Sequence, residues 1–343
     1  MITSHVFRLR DAKPHNRSDG GERVKVDRSH FPILRGMALY QLHLAPRGIR
    51  EPHWHVNADE LGYCLQGDIR VTFFHTENNR QSFFVRKGEA FWIPSGALHT
   101  IENLGQEEAQ LLLEFSHEMP EEFHVSSAIG MFSNAVLGNT WGVGQDHFQT
   151  LHRPLKDRFA VRASSPPSLE HTHSTSPYHY ALENATPLLD KSSGSVRVAR
   201  KDVWPMLNSH SLYSLRITSS GMREPHWHPE TAELGFVRKG HARMSVQNPE
   251  GAIETYCLQP GDVYFIPKAY PHHIENIGQG ALHFLIFFDQ AMPQDVGFSG
   301  SIRAMTDQVL SSVLHVKPSF FAPLSHSKED AFLVDQINSS LDS

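Results

Sequence analysis

Apolar and polar positions alternate along much of this chain in short runs. Over Ala38–Leu44 the side chains of Leu39, Gln41 and His43 fall on one face and those of Tyr40, Leu42 and Leu44 on the other, which is the period of two that a strand imposes. Runs of the same kind follow at 62–65, 69–74, 81–85, 90–93, 100–101 and 109–115, divided by Gly, Pro, Asn and Asp. Short strands with a turn signal every roughly 8–12 residues predict an all-β antiparallel sandwich or barrel, not a βαβ fold. After Phe115 the spacing of Ile129, Phe132, Val136 and Leu137 turns helical, with Ser126 or Ser127 available as a cap. Residues 142–177, rich in His, Ser and Pro, read as a linker.

The pattern then begins again. Glu51-Pro-His-Trp-His55 returns as Glu224-Pro-His-Trp-His228, and the offset of 173 also brings Tyr40 onto Tyr213, Gly67 onto Gly240, Arg70 onto Arg243, Pro94 onto Pro267, Asn103 onto Asn276 and Phe115 onto Phe288. The chain therefore holds two copies of one domain. The expected division is a first domain at 1–141, the linker at 142–177, a second domain at 178–316 and a polar tail at 317–343. The second copy also closes on a short helical segment, through Ile302, Met305, Val309 and Val313.

Shared turn glycines would require only a shared backbone. The repeated polar set requires more. His53 and His55, two apart on a strand, point to the same side, and Glu60 and His99 complete the set; the second copy has His226, His228, Glu233 and His272. Three imidazoles and a carboxylate suit a divalent transition metal with positions left open. Without an ion, four such groups inside a barrel would be costly to desolvate.

Net charge is −6 and the pI is near 6.5, so no basic surface points to nucleic acid or an anionic membrane. Cys64 and Cys257 do not occupy equivalent positions in the two copies, so no disulfide framework is expected and a reducing compartment is. No apolar run has signal-peptide or membrane-span length. A soluble, cytoplasmic protein is expected. Of the 24 His, those in polar connecting sequence, such as His147, His152 and His173, read as solvated.

These motifs resemble those of the cupins, specifically the two-domain bicupins. The first cupin motif is matched by His53-x-His55-x4-Glu60-x6-Gly67 and by His226-x-His228-x4-Glu233-x6-Gly240. The second is matched by Gly88-x5-Pro94-x-Gly96-x2-His99-x3-Asn103 and, with Ala269 in place of a glycine, by Gly261-x5-Pro267-x-Ala269-x2-His272-x3-Asn276. The resemblance implies two tandem jelly-roll (double-stranded β-helix) barrels, each followed by a short helical segment, with a metal inside each. Among bicupins the chain is most similar to the oxalate decarboxylases, which carry an Arg three residues before the first metal His; Arg50 and Arg223 stand there.

The implied substrate is a small carboxylate, oxalate, converted to formate and carbon dioxide. The implied cofactor is Mn2+ at both sites, with Fe, Ni, Co or Zn also suited to these ligands, and the implied assembly is a homo-oligomer. A guanidinium beside an open metal position would hold one carboxylate of the dianion. The family's lid sequence, whose Glu handles the proton, is not matched by Phe115-Ser-His-Glu-Met-Pro-Glu-Glu-Phe123. Glu121, with Glu118 and Glu122 as neighbours, is the candidate substitute. The alternatives are an oxidase, dioxygenase or isomerase acting on another small anion, and a non-catalytic metal-binding bicupin. Trp54 and Trp227 are expected to pack between sheets, Cys64 to be a buried inert thiol, His273 to be structural, and His117 and His124 to be loop residues.

Overall fold

A computed structural model of the chain describes residues 4–154, 158–166, 168–169, 172–173, 175–324 and 331–338. It forms two compact units, one of Ala12–Asn184 and one that joins Met1–Asp11 to Ala185–Ser343. Among the described residues of the first unit, one sheet runs in the order His179–Tyr180, Ala90–Ile93, Glu60–Gln66, Ala109–Phe115, Ala38–Leu44, Gly21–Val26, Asn16–Arg17. The other runs Glu122–His124, Gly48–His55, His99–Asn103, Asp68–Phe74, Arg80–Arg86, Thr172–His173. Alternation along these strands sends Tyr40, Leu42, Val71, Phe83, Phe91 and Phe115 into one core, where each buried side chain contributes about 1.5–3 kcal/mol. The second unit repeats the plan around Tyr213, Leu215, Met244, Tyr264, Phe284 and Phe288. Each unit is thus mostly β, a jelly roll.

The division of the chain differs from the one expected at 1–141, 142–177, 178–316 and 317–343. Val6–Arg8 pairs with Asp262–Ile266 in the second unit, and His179–Tyr180 pairs with Ala90–Ile93 in the first. Ala160–Arg162, inside the expected linker, adds to the strand Gly48–His55 by pairing with residues 48–50. Leu333–Asp335, inside the expected tail, pairs in the same way with residues 221–223; residues 325–330 and 339–343 of that tail lie outside the described residues. The physical reason is shared. An edge strand leaves backbone donors and acceptors open, and a three-residue strand can meet them without any apolar run to mark it in the sequence.

The helical segments are pairs of short helices, Val125–Gly130 with Asn134–Trp141, and Phe298–Ala304 with Asp307–Leu314. Ser126 and Ser127 lie inside the first helix rather than capping it. The caps are Ser133 and Thr306, whose side chains accept from the amides of Val136 and Val309.

One buried carboxylate in each unit ties these late segments to the core. Glu51 Oε1 accepts from the amides of Arg158 and Phe159 at 2.8 and 2.9 Å, and Glu51 Oε2 accepts from the Ser126 amide at 3.3 Å. Glu224 accepts from Phe332 at 2.6 Å and Ser299 at 3.0 Å. Phe159 and Phe332 sit at φ of 59° and 61°, a left-handed conformation that costs a bulky residue about 1 kcal/mol or more and persists only where its surroundings dictate it. Glu51→Ala would orphan three backbone donors, and at about 1 kcal/mol or more for each it should lower stability by about 3 kcal/mol. Hydrogen exchange at residues 158–162 should speed up selectively; unchanged protection there would contradict the role given to Glu51.

Candidate metal centres

From Glu51 to His55 the strand Gly48–His55 is buried at alternate positions, which turns His53 and His55 inward together. His99 opens the neighbouring strand directly beside His53. Glu60 opens Glu60–Gln66 on the opposite sheet. The four side chains thus meet between the sheets, each offering one ligand atom within 4.8 Å of the others, and His226, His228, Glu233 and His272 do the same in the second unit. Every one of the eight is buried.

Their hydrogen bonds show what they are prepared for. Nδ1 of His53, His99, His226 and His272 lies 2.8, 2.8, 2.8 and 2.9 Å from the carbonyls of Glu51, Ala97, Glu224 and Tyr270, and Nδ1 of His228 lies 2.7 Å from that of Gln294. A carbonyl only accepts, so Nδ1 carries the hydrogen and Nε2 faces inward as a bare lone pair. The inward Nε2 atoms of His99 and His272 are buried with no hydrogen-bond partner among the described residues. His228 Nε2 stands 3.1 Å from Glu233 Oε2, two acceptors face to face unless a positive charge lies between them. Three imidazole nitrogens and a carboxylate therefore fit a divalent ion such as Mn, Fe, Co, Ni or Zn.

Burial opposes charge on Glu60, but the neighbouring His55 and His99 outweigh it and bring the carboxyl down to about 2. Glu233 moves the same way by the same balance, with His228 and His272 as its partners. Burial also raises the Tyr264 phenol, as does Glu233 beside it. His228 is raised: burial lowers it, but the Glu233 carboxylate beside Nε2 favours the protonated ring and outweighs that.

Arg50 and Arg223 lie beside these clusters, 1% and 3% exposed. Arg50 donates to the Phe159 carbonyl at 2.9 Å, to Glu122 Oε2 at 2.6 Å and to His124 Nε2 at 3.0 Å. Arg223 donates to the Phe332 carbonyl at 3.0 Å and to Asp295. The guanidinium of each also lies over its phenylalanine ring, at 5.0 and 3.7 Å from the centroid. Glu122 additionally grips Arg23 through both oxygens. Burial opposes its charge, yet Arg50 and Arg23 hold it well below the usual carboxylate range.

The loop residues separate in the structure. Glu121 is exposed, and its backbone is what the fold uses, its carbonyl accepting from Val56 and its amide donating to Asn57. Glu118 accepts from the Gly36 amide and pairs with Arg28. Glu122 is the carboxylate that reaches Arg50. His124, expected in a loop, is buried, with its ring stacked 5.9 Å from that of His53. Trp54 and Trp227 do not pack between the sheets but lie against Phe123 and Phe298, 5.5 and 5.6 Å between ring centres. Cys64 is buried, its thiol directed at the Gln66 and Gly67 carbonyls. His273 stands outside the cluster, 3.5 Å from Glu275. The sequence carried one signal for the missed residues: Glu122 and Asp295, like Phe159 and Phe332, stand at the same offset of 173.

Burial and then the Arg50 charge keep His53 well below its ordinary value of 6.5, and burial and Arg223 do the same for His226. As pH falls through 6.5 the unfolded chain takes up protons at these rings while the folded chain does not, so acid favours unfolding. Metal-free protein should therefore lose about 1 kcal/mol of stability per ring for each pH unit below that value. Denaturant melts across that range check this, and His53→Gln should remove one ring's share of the slope.

The sequence pattern of the Cupin family matches residues 7–149 and 180–320. The chain is 29% identical to oxalate decarboxylase OxdC of Bacillus subtilis (strain 168) over 325 residues, covering 92% of this chain and 83% of that one. It is 24% identical to a probable oxalate decarboxylase of Arthroderma benhamiae, covering 87% and 76%. Part of it, 38%, is 31% identical to germin-like protein subfamily T member 2 of Arabidopsis thaliana, over 60% of that protein. The structure of the Bacillus subtilis oxalate decarboxylase at pH 4.6 superposes with a TM-score of 0.86 at 28% identity, covering 98% of this chain and 88% of the other. A structure of the same enzyme concerned with its Mn(II) centres matches equally well, at 0.86 and 27%. With both halves matched by the same pattern and both carrying its buried ligand set, the chain belongs to the cupin family as a protein of two cupin domains.

Proposed function

We propose that this protein is a manganese-dependent enzyme of the oxalate decarboxylase kind, cleaving oxalate to formate and carbon dioxide. The observation that carries the reading is the pairing, in both units, of a buried arginine with a buried three-His, one-Glu cluster. Likeness to oxalate decarboxylases over most of the chain supports it. His53, His55, Glu60 and His99 would hold one ion, and His226, His228, Glu233 and His272 the other. A bound divalent ion supplies the Lewis acidity and electron-accepting capacity that an otherwise inert dicarboxylate needs.

The protein's own residues do the rest. Arg50 or Arg223 binds one carboxylate of the substrate through paired N–H donors. An incoming dianion competes with Glu122 for Arg50, and a Glu122 released from that ion pair loses the main charge that keeps it deprotonated. The carbon–carbon bond then breaks, carbon dioxide leaves, and the remaining carbon takes a proton to give formate. Glu122 is placed for that delivery better than Glu121, whose side chain is exposed. The apolar core around each cluster excludes water that would quench the carbon first.

A second reading draws on the missing lid sequence. An oxygen-dependent oxidase would use the same residues, oxidise oxalate to two molecules of carbon dioxide and reduce oxygen, with two protons, to hydrogen peroxide, with no proton to place on carbon. A cytoplasmic homo-oligomer is consistent with only two cysteines, at non-equivalent positions of the two copies, and with exposed Val136 and Trp141 on the helix Asn134–Trp141. Among the described residues no helix is long and apolar enough to cross a membrane.

Manganese-loaded protein should release one formate per oxalate at mildly acid pH; peroxide without formate would favour the oxidase, and neither product would remove both readings. Arg50→Ala and Arg223→Ala should each abolish the turnover of their own unit while metal content is kept. Glu122→Gln should lower kcat about 100-fold or more without weakening substrate binding, since it frees Arg50. Steady-state kinetics with metal analysis on each variant reads both effects.

A further inference from the structure

The two clusters share their ligands but not the groups behind them. In the second unit each ligand is fixed from outside. His226, His228 and His272 each have Nδ1 on a carbonyl, and Glu233 Oε1 accepts from the Tyr264 hydroxyl at 2.6 Å. In the first unit two of these anchors are missing. His55 Nδ1 and Glu60 Oε1 are buried with no hydrogen-bond partner among the described residues.

Both differences trace to single residues at the common offset of 173. Where the second copy has Tyr264 the first has Phe91, opposite Gly235 and Gly62 in the same register. The rings are placed alike: a Cβ added at either glycine would lie 2.1 Å from Cζ of the ring beneath it. Only the hydroxyl is lacking at Phe91. Where the first copy has Val56 the second has Pro229. The Val56 amide occupies the Glu121 carbonyl. Proline has no amide hydrogen, so the equivalent Gln294 carbonyl is left for His228 Nδ1.

Groups that orient metal ligands from behind typically change metal affinity by about 10–100-fold. We propose that Tyr264 and Pro229 are positioning residues that make the cluster of His226, His228, Glu233 and His272 the more tightly held of two unequal divalent-metal sites. Glu60, with one oxygen unrestrained, is left free to change how it binds.

Competition of the Mn2+-loaded full chain against a chelator should resolve two dissociation constants about 10–100-fold apart. His53→Gln, which disables the first site, should remove the weaker phase. Tyr264→Phe should weaken the tighter site about 10-fold, and Pro229→Val should weaken it too, by returning the Gln294 carbonyl to a backbone amide. Phe91→Tyr should tighten the first site, because its hydroxyl would arrive at Glu60 Oε1. Equal constants in the unaltered protein, or loss of the tighter phase on His53→Gln, would overturn the proposal. So would unchanged affinity in a folded Tyr264→Phe protein. If that variant fails to fold, Phe91→Tyr decides, and an unchanged first site counts against the proposal. None of these readouts needs oxalate turnover, so their failure is distinct from failure of the oxalate reading.

Discussion

Each unit buries a guanidinium almost completely, and much else in the fold follows from the need to satisfy it. A guanidinium brings five N–H donors and a permanent charge into the interior, and leaving either unmet would cost several kcal/mol. Arg50 is met by a carbonyl from residue 159, a carboxylate from residue 122, an imidazole from residue 124 and the face of the Phe159 ring. None of these belongs to the seven runs whose alternation is plain in the sequence. The segments after the last core strand are therefore part of the site. The left-handed Phe159 and Phe332 make the same point, because an uncommon conformation at equivalent places in both units shows that carbonyl position is held deliberately.

What was legible in the sequence is what has a short period. Alternation over Ala38–Leu44 or Ala109–Phe115 encodes burial directly, and two His at a spacing of two encode a shared face. The ligand set could be read because the repeat supplied it twice. The Arg50 environment could not be read in the same way. Its partners lie 72, 74 and 109 residues away, in segments held by backbone pairing and ion pairs rather than by apolar runs. His124 looked like a loop residue because the strand that carries it, Glu122–His124, is three residues long. Ser126 looked like a cap because the helix follows that strand directly, so the serine falls within its first turn. Trp54 and Trp227, expected between the sheets, instead meet Phe123 and Phe298 of the covering segments, which composition alone does not reveal.

Duplication also separates what the chemistry demands from what it tolerates. The eight ligands are identical in type between the copies, whereas the residues behind them have diverged: Phe91 against Tyr264, His124 against Gly297, Val56 against Pro229, Glu122 against Asp295. An ion sees the ligand atoms first and the supporting groups only through them. Such positions can therefore change one at a time and adjust the two centres independently without removing either.

The resting ion pairs bear on which anion can enter. Arg50 is already neutralised by Glu122, and Arg223 by Asp295. A monocarboxylate arriving at either arginine would only replace one carboxylate with another and gain little. A dianion with its carboxylates one bond apart can give one to the arginine and present the second to the neighbouring cluster. The displaced Glu122 keeps Arg23, to which both of its oxygens are already bonded. On the proposed reading, selectivity for a compact dianion would follow from this exchange, before any bond in the substrate is broken.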